Sequence, residues 1–231
     1  MSQYRKTFEA FSDKLQAHTR YLHLALNNTL DEALRIARQI PVSDKIILEA
    51  GTPLIKKYGV NAITSLKNIR PDLYIIADLK CADLSEKEIF WAYQAGADAV
   101  TAVGTAPIPT LNAFIALCQE YRLDSLIDMM NITDPIIILR QLLNLPTIVM
   151  LHRGVDETEN NKEKQIPYYQ IKQIKGNYNS IFVDVGGGDK PREIQSAVFN
   201  DADIVMVWQA FYNTNQDIPH LIKEFLKLIG S

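Results

Sequence analysis

Short apolar runs return at near-regular intervals along this chain, and each is followed by a stretch with helical spacing. The runs fall at 21–26, 45–49, 73–80, 98–103, 125–129, 147–151, 180–185 and 203–207. The helical stretches fall at 30–40, 61–68, 85–94, 110–121, 135–143, 168–175, 191–199 and 218–229. Apolar residues repeating every three to four positions mark the helices, and uninterrupted β-branched and aliphatic runs mark strands buried on both faces. Strands of that kind belong to parallel sheets. Eight such units in 231 residues predict an α/β fold, a closed (β/α)8 TIM barrel, with a doubly wound open sheet as the alternative. Residues 5–16 place Phe8, Phe11 and Leu15 on one face and predict a short extra helix at the N-terminus. No linker or low-complexity stretch divides the chain, so 1–231 reads as one barrel domain. Local signals support the boundaries. Thr29 is a plausible N-cap, Pro135 suits a first helical turn, and Ser85 with Glu88 has capping-box spacing. The polar stretch 155–165 reads as a mobile loop and a candidate lid.

Composition narrows the classes of function. Hydrophobic residues make up 47% of the chain, enough for a sizeable core. The net charge of -3 and the lack of a basic block argue against nucleic acid as a partner. Cys81 and Cys118 have no metal-binding spacing and read as free thiols in a reducing compartment. No apolar run reaches the roughly 18 residues of a membrane span, and residues 1–20 lack a signal-peptide core. The expectation is a cytoplasmic protein with no membrane partner.

In a (β/α)8 barrel the active site lies at the C-terminal ends of the strands. Those ends carry Asn27, Glu49, Asp78 with Lys80, Asp128, His152, Gly186-Gly187-Gly188, and Trp208-Gln209. The third strand runs into Asp78-Leu79-Lys80-Cys81-Ala82-Asp83, a D-x-K-x-x-D spacing. Alternate strand residues share a face, so Asp78 and Lys80 point into one space. A structural ion pair and a chemical site both fit that pair, and Glu49 could simply share in the ion pair. Glu49, Asp78 and Asp128 also offer oxygen ligands to a hard divalent cation such as Mg2+. His152 suits proton transfer because imidazole titrates near neutral pH. The glycines at 186–188 admit close approach of an anion such as a phosphate, and a tight turn would need them too. His18, His23 and His220 are scattered and form no zinc pattern.

The blocks Leu24-Ala25-Leu26, Glu49-Ala50-Gly51-Thr52-Pro53, Ala77-Asp78-Leu79-Lys80 with Asp83, Ala95-Gly96-Ala97-Asp98, Asp128 with Asp134-Pro135, His152 with Gly154 and Asp156, and Gly186-Gly187 occur in one order. Together the sequence resembles the orotidine-monophosphate decarboxylase superfamily, and within it the 3-hexulose-6-phosphate synthase group. The metal-free decarboxylases carry a lysine where Glu49 stands, so the resemblance implies the Mg2+-dependent branch. It implies an aldehyde-lyase joining formaldehyde to ribulose 5-phosphate through an enediolate. Keto-gulonate-phosphate or orotidine-phosphate-type decarboxylation and a barrel that only binds are the alternatives. The implied roles are Glu49 and Asp78 as metal ligands, and Asp78, Lys80, His152 and Asp83 as the catalytic set. Asn27, Asp128, Gly186, Gly187, Gly188 and Gln209 would bind substrate. The resemblance further implies a homodimer in which Asp83 reaches the partner's site.

Three positions depart from the family pattern. Asn27 replaces an aspartate and loses its charge. Trp208-Gln209 replaces a glycine-containing pair at the phosphate end. Leu84-Ser85 replaces a small turn after Asp83.

Overall fold

The computed structural model describes residues 12–152, 154, 156, 168–186, 190–212 and 217–230. Eight strands close into one barrel in sequence order: β1 (Tyr21–Leu26), β2 (Ile46–Ala50), β3 (Tyr74–Cys81), β4 (Ala99–Val103), β5 (Asp124–Asp128), β6 (Ile148–His152), β7 (Phe182–Gly186) and β8 (Ile204–Val207). Every neighbouring pair is parallel, and β8 returns to β1 with Tyr21 opposite Ile204. Closure leaves no sheet edge and excludes the open-sheet alternative.

The helices are α1 (Leu30–Gln39), α2 (Thr52–Tyr58), α3 (Asn61–Ile69), α4 (Ser85–Gln94), α5 (Ile108–Glu120), α6 (Pro135–Gln141), α7 (Tyr168–Asn177), α8 (Pro191–Phe199) and α9 (Ile218–Leu228). Among the described residues, no helix is long and apolar enough to cross a membrane.

Strand alternation divides the core in two. Leu22, Leu24, Leu26, Leu48, Ile75, Val149 and Val183 face outward and pack under the helices. Tyr21, Ala25, Ile47, Ile76, Ala99, Leu126, Ile148, Phe182 and Ile204 face inward and fill the barrel. Leu15 plugs the N-terminal end. The acids at that end are tied into structure. Asp98 accepts from the Ile75 N–H and Lys67 Nζ, both at 2.8 Å. Asp124 accepts from Tyr74 OH at 2.6 Å and Ser12 Oγ at 2.7 Å. The polar residues left for chemistry are therefore those at the opposite rim.

Several boundaries differ from the sequence expectation. Residues 12–16, the described end of the expected N-terminal helix, bend at 13–15 and form no helix, and the rest of that segment lies outside the described residues. Residues 52–58, which fall in neither a strand run nor a helical stretch of the sequence, form the helix α2. Proline fits its first turn, and Gly59 ends it at φ 67°. Ser85 does not cap α4. Leu84 occupies the N-cap with φ 52°, and Ser85 is buried in the first turn. Thr29 does cap α1, accepting from the Glu32 N–H at 3.3 Å. The candidate lid at 155–165 lies outside the described residues apart from Asp156.

Candidate active site

The C-terminal mouth is assembled from β2, β3, β5 and β6. Glu49, Asp78 and Asp128 are all buried there, between 0% and 5% exposed. Lys80 Nζ stands 2.9 Å from Asp128 Oδ2 and 3.2 Å from Asp78. His152 Nδ1 contacts the same Asp128 oxygen at 2.9 Å. Four of the expected site residues thus form one connected cluster.

Local backbone geometry makes this convergence possible. The pairing of β3 with β4 shifts register between Ala77 and Cys81, and Lys80 adopts φ 49°. A left-handed lysine is unfavourable in isolation, and such strain gathers where the surroundings enforce it. Here the bulge aims the ammonium at two buried carboxylates. Thr52, at the start of α2, fixes Asp78 from the other side. Its Oγ1 lies 2.6 Å from Asp78 Oδ2, and its N–H points to the same oxygen at 3.3 Å.

The charges act on one another. Burial pushes the Asp78 carboxyl up, the Glu49 charge adds to it, and Lys80 and Thr52 pull it back, leaving it at about 6. Asp128 is also buried, yet His152 and Lys80 hold it down at about 2. Burial opposes the His152 imidazolium, but the Asp128 hydrogen bond and charge outweigh that and raise its pKa. Lys80 is likewise opposed by burial and raised by Asp78, Asp128 and Glu49.

Glu49 does not join the lysine ion pairs. It faces His23, whose Nε2 is 3.2 Å from Glu49 Oε2 and whose Nδ1 is 2.7 Å from Asp184 Oδ2. All three are buried inside the barrel. Burial works against the His23 charge, but the two flanking carboxylates raise its pKa to about 10. His23, Asp184 and Thr52 escaped the sequence reading. The available signal was strand alternation, because His23 stands two residues from each of the inward-facing Tyr21 and Ala25.

Other expected residues divide. Asn27 is at the mouth. A Cβ on Gly51 would fall 1.9 Å from Asn27 Oδ1, so only glycine there leaves room for the carboxamide. Gly186 ends β7 opposite His152, and a Cβ there would be 3.4 Å from the imidazole. Gly187 and Gly188 lie outside the described residues. Gln209 is exposed in a 3-10 turn after Trp208. Asp83 is exposed past the end of β3, and among the described residues no hydrogen bond or ion pair joins its carboxylate to the cluster.

Glu49 and Asp78 fit a hard divalent cation by donor type. They are buried carboxylates whose mutual repulsion a cation would relieve. Among the described residues no group of three or more side chains forms a metal cage. Two protein oxygens still suit Mg2+, which keeps several waters or substrate oxygens.

A closed parallel barrel with carboxylates, a lysine and a histidine gathered at its C-terminal mouth has the construction of a (β/α)8 barrel active site. The chain belongs to the orotidine 5'-phosphate decarboxylase / HUMPS family, whose model matches residues 20–215. The bifunctional enzyme Fae/Hps of Methanococcoides burtonii is 38% identical over 209 residues, covering 90% of this chain and 52% of that protein. This chain spans about half the length of the curated relatives it matches. The crystal structure of 3-hexulose-6-phosphate synthase from Salmonella typhimurium superposes with a TM-score of 0.81 at 25% identity, covering 90% of this chain and 98% of that one. A second 3-hexulose-6-phosphate synthase structure gives a TM-score of 0.78 at 28% identity, covering 91% of this chain and 100% of that one.

Proposed function

We propose that this chain is an aldehyde-lyase of the 3-hexulose-6-phosphate synthase type, joining formaldehyde to ribulose 5-phosphate or cleaving the product. The observation that carries this reading is the Glu49, Asp78, Lys80, Asp128 and His152 constellation at the barrel mouth. The names of the relatives and of the matching structures support the substrate class. A Mg2+ held by Glu49 and Asp78 would supply Lewis-acid polarisation of the substrate carbonyl.

The chain's own groups do the rest. The Lys80 ammonium, held by buried Asp128 and Asp78, places a fixed positive charge where the enediolate charge develops. Asp128 anchors His152 through Nδ1 and leaves Nε2 as the proton-exchanging atom. His152 would take the C1 proton of ribulose 5-phosphate as the enediolate forms and return it to the formaldehyde oxygen as the carbon–carbon bond forms, its protonated state favoured by Asp128, with the reverse transfers in cleavage. The end of β7 at Gly186 would receive the sugar phosphate, whose binding orients the reacting carbons. Asp83, exposed beside an α4 that leaves Leu84, Phe90, Trp91 and Tyr93 open, would act across a homodimer interface.

The test is condensation of ribulose 5-phosphate with formaldehyde, with and without Mg2+. Turnover is expected only with the metal. Asp78→Ala should lower it by about two orders of magnitude or more without loss of fold. Turnover surviving a chelator, or intact in Asp78→Ala, rejects the mechanism. A shifted sugar-phosphate substrate is a second reading, favoured by Asn27 and by Trp208 at the end of β8. A keto-gulonate-phosphate decarboxylation assay run in parallel separates the two.

A further inference from the structure

A chain of charged side chains crosses the barrel interior from β2 to β7. Glu49 on β2 meets His23 on β1, and His23 meets Asp184 on β7, passing over the intervening β8. His23 and Asp184 are 0% exposed and Glu49 is 3% exposed. This is an expensive arrangement. Burying ionised groups usually contributes little net stability, and apolar side chains of similar volume do as well or better. The inner barrel wall offers those alternatives, since Ile47, Ile76, Ile148 and Ile204 occupy comparable inward positions. Asp184 is moreover only half used. Its Oδ2 meets His23 at 2.7 Å, while its Oδ1 has no hydrogen-bond partner among the described residues. A carboxylate kept solely for structure would be poorly served by that environment. The feature that makes sense of it is the other end of the imidazole, where Nε2 lies 3.2 Å from Glu49 Oε2, an ion-pair contact rather than a hydrogen bond of full geometry.

We infer that His23 and Asp184 are positioning residues that hold the Glu49 carboxylate in its metal-binding orientation. Asp184 fixes the imidazole through Nδ1, and the ion-pair contact at Nε2 restrains Glu49 Oε2, leaving Oε1 for the metal. Neither residue touches the reacting atoms. The inference rests on the proposed assignment of Glu49 as a metal ligand. Groups of this kind, one bond removed from a ligand, typically change metal affinity by about 10- to 100-fold when lost.

The probe is Mn2+ binding to the full chain, followed by electron paramagnetic resonance without substrate. The parent should bind saturably, and Glu49→Gln should not. Asp184→Asn is close to isosteric and does not touch Glu49. It is expected to weaken Mn2+ binding about tenfold with circular dichroism unchanged. An unaltered or tighter dissociation constant in Asp184→Asn overturns the inference. A second comparison, in the Asp184→Asn background, sets His23→Gln against His23→Met. Glutamine keeps a donor near the Nε2 position and methionine fills the same length without one. The glutamine variant is expected to bind Mn2+ about tenfold more tightly than the methionine variant. Equal binding by the two overturns the inference while leaving the metal assignment standing. No saturable binding by the parent overturns both.

Discussion

Asp128 shows how one residue can set the state of two others. It is fully buried, and Lys80 and His152 share its Oδ2 at 2.9 Å each. Its pKa of about 2 lies below the ordinary 3.8, so its contribution to stability is present above pH 3.8 and is lost as pH falls toward 2. The stability gap between the parent and Asp128→Asn, read from urea unfolding, should therefore narrow over that interval. His152 has the opposite sign. Its raised pKa contributes stability below pH 6.5 that disappears as pH rises through the folded value. Asp128→Asn removes the group that raises it. A carbon-13 titration of the His152 ring should show the pKa falling, and an unchanged value would contradict the assigned partner. That Asp78, Lys80, Asp128 and His152 would gather at one rim was legible from their places at strand ends. Their pairing was not, because which carboxylate the lysine selects depends on a left-handed backbone that residue order does not reveal.

At the scale of elements, the short helix α2 positions the site. Gly51 precedes it and makes room for Asn27, Thr52 opens it and fixes Asp78, and Gly59 closes it. Gly59 has φ 67°, and a Cβ there would meet nothing within 4 Å. With ψ at -170° this backbone is accessible essentially to glycine alone, so the cost of Gly59→Ala is conformational only, about 1–3 kcal/mol in urea unfolding, with turnover retained. Gly51→Ala is different, since its methyl group would displace the Asn27 carboxamide. It should weaken substrate binding in the parent and do so less in an Asn27→Ala background. An equal fold-change in Michaelis constant in the two backgrounds would show that the two positions are not coupled. Pro53 and Gly59 are breakers inside a helix and hide α2 from a reading of the sequence. At its first turn and its end they are compatible with one.

The whole molecule raises the question of shared sites. Asp83 is exposed and makes no hydrogen bond or ion pair to its own cluster among the described residues; exposed Leu84 follows it, and α4 beyond carries exposed Trp91. A homodimer with exchanged Asp83 side chains predicts complementation between inactive variants. Asp78→Ala and Asp83→Ala chains, unfolded together and refolded in equal amounts, should recover about a quarter of parent turnover. Half of the dimers are then mixed, each with one intact site. No recovery, with dimers present by sedimentation, would place Asp83 outside the partner's site. Packing of the barrel interior can be tested separately. Leu126→Ala, inside the barrel, should cost about 2–5 kcal/mol in urea unfolding.

The sequence alone determined the eight strand–helix units, their order around a parallel barrel, and which residues would reach the rim. These follow from local periodicity, the 2-residue alternation of strands and the 3.6-residue turn of helices, which each segment carries within itself. Tertiary structure decided the partners. His23 read as one scattered histidine among several, because its two contacts come from residues 26 and 161 positions away. Closure of the barrel brings Glu49 and Asp184 to the two nitrogens of that ring. The D-x-K-x-x-D motif marked the place of the site. Only the closed barrel assigned Asp78 to Thr52, Lys80 to Asp128, and Glu49 to His23, because burial in a common interior makes every charge choose a neighbour across the fold.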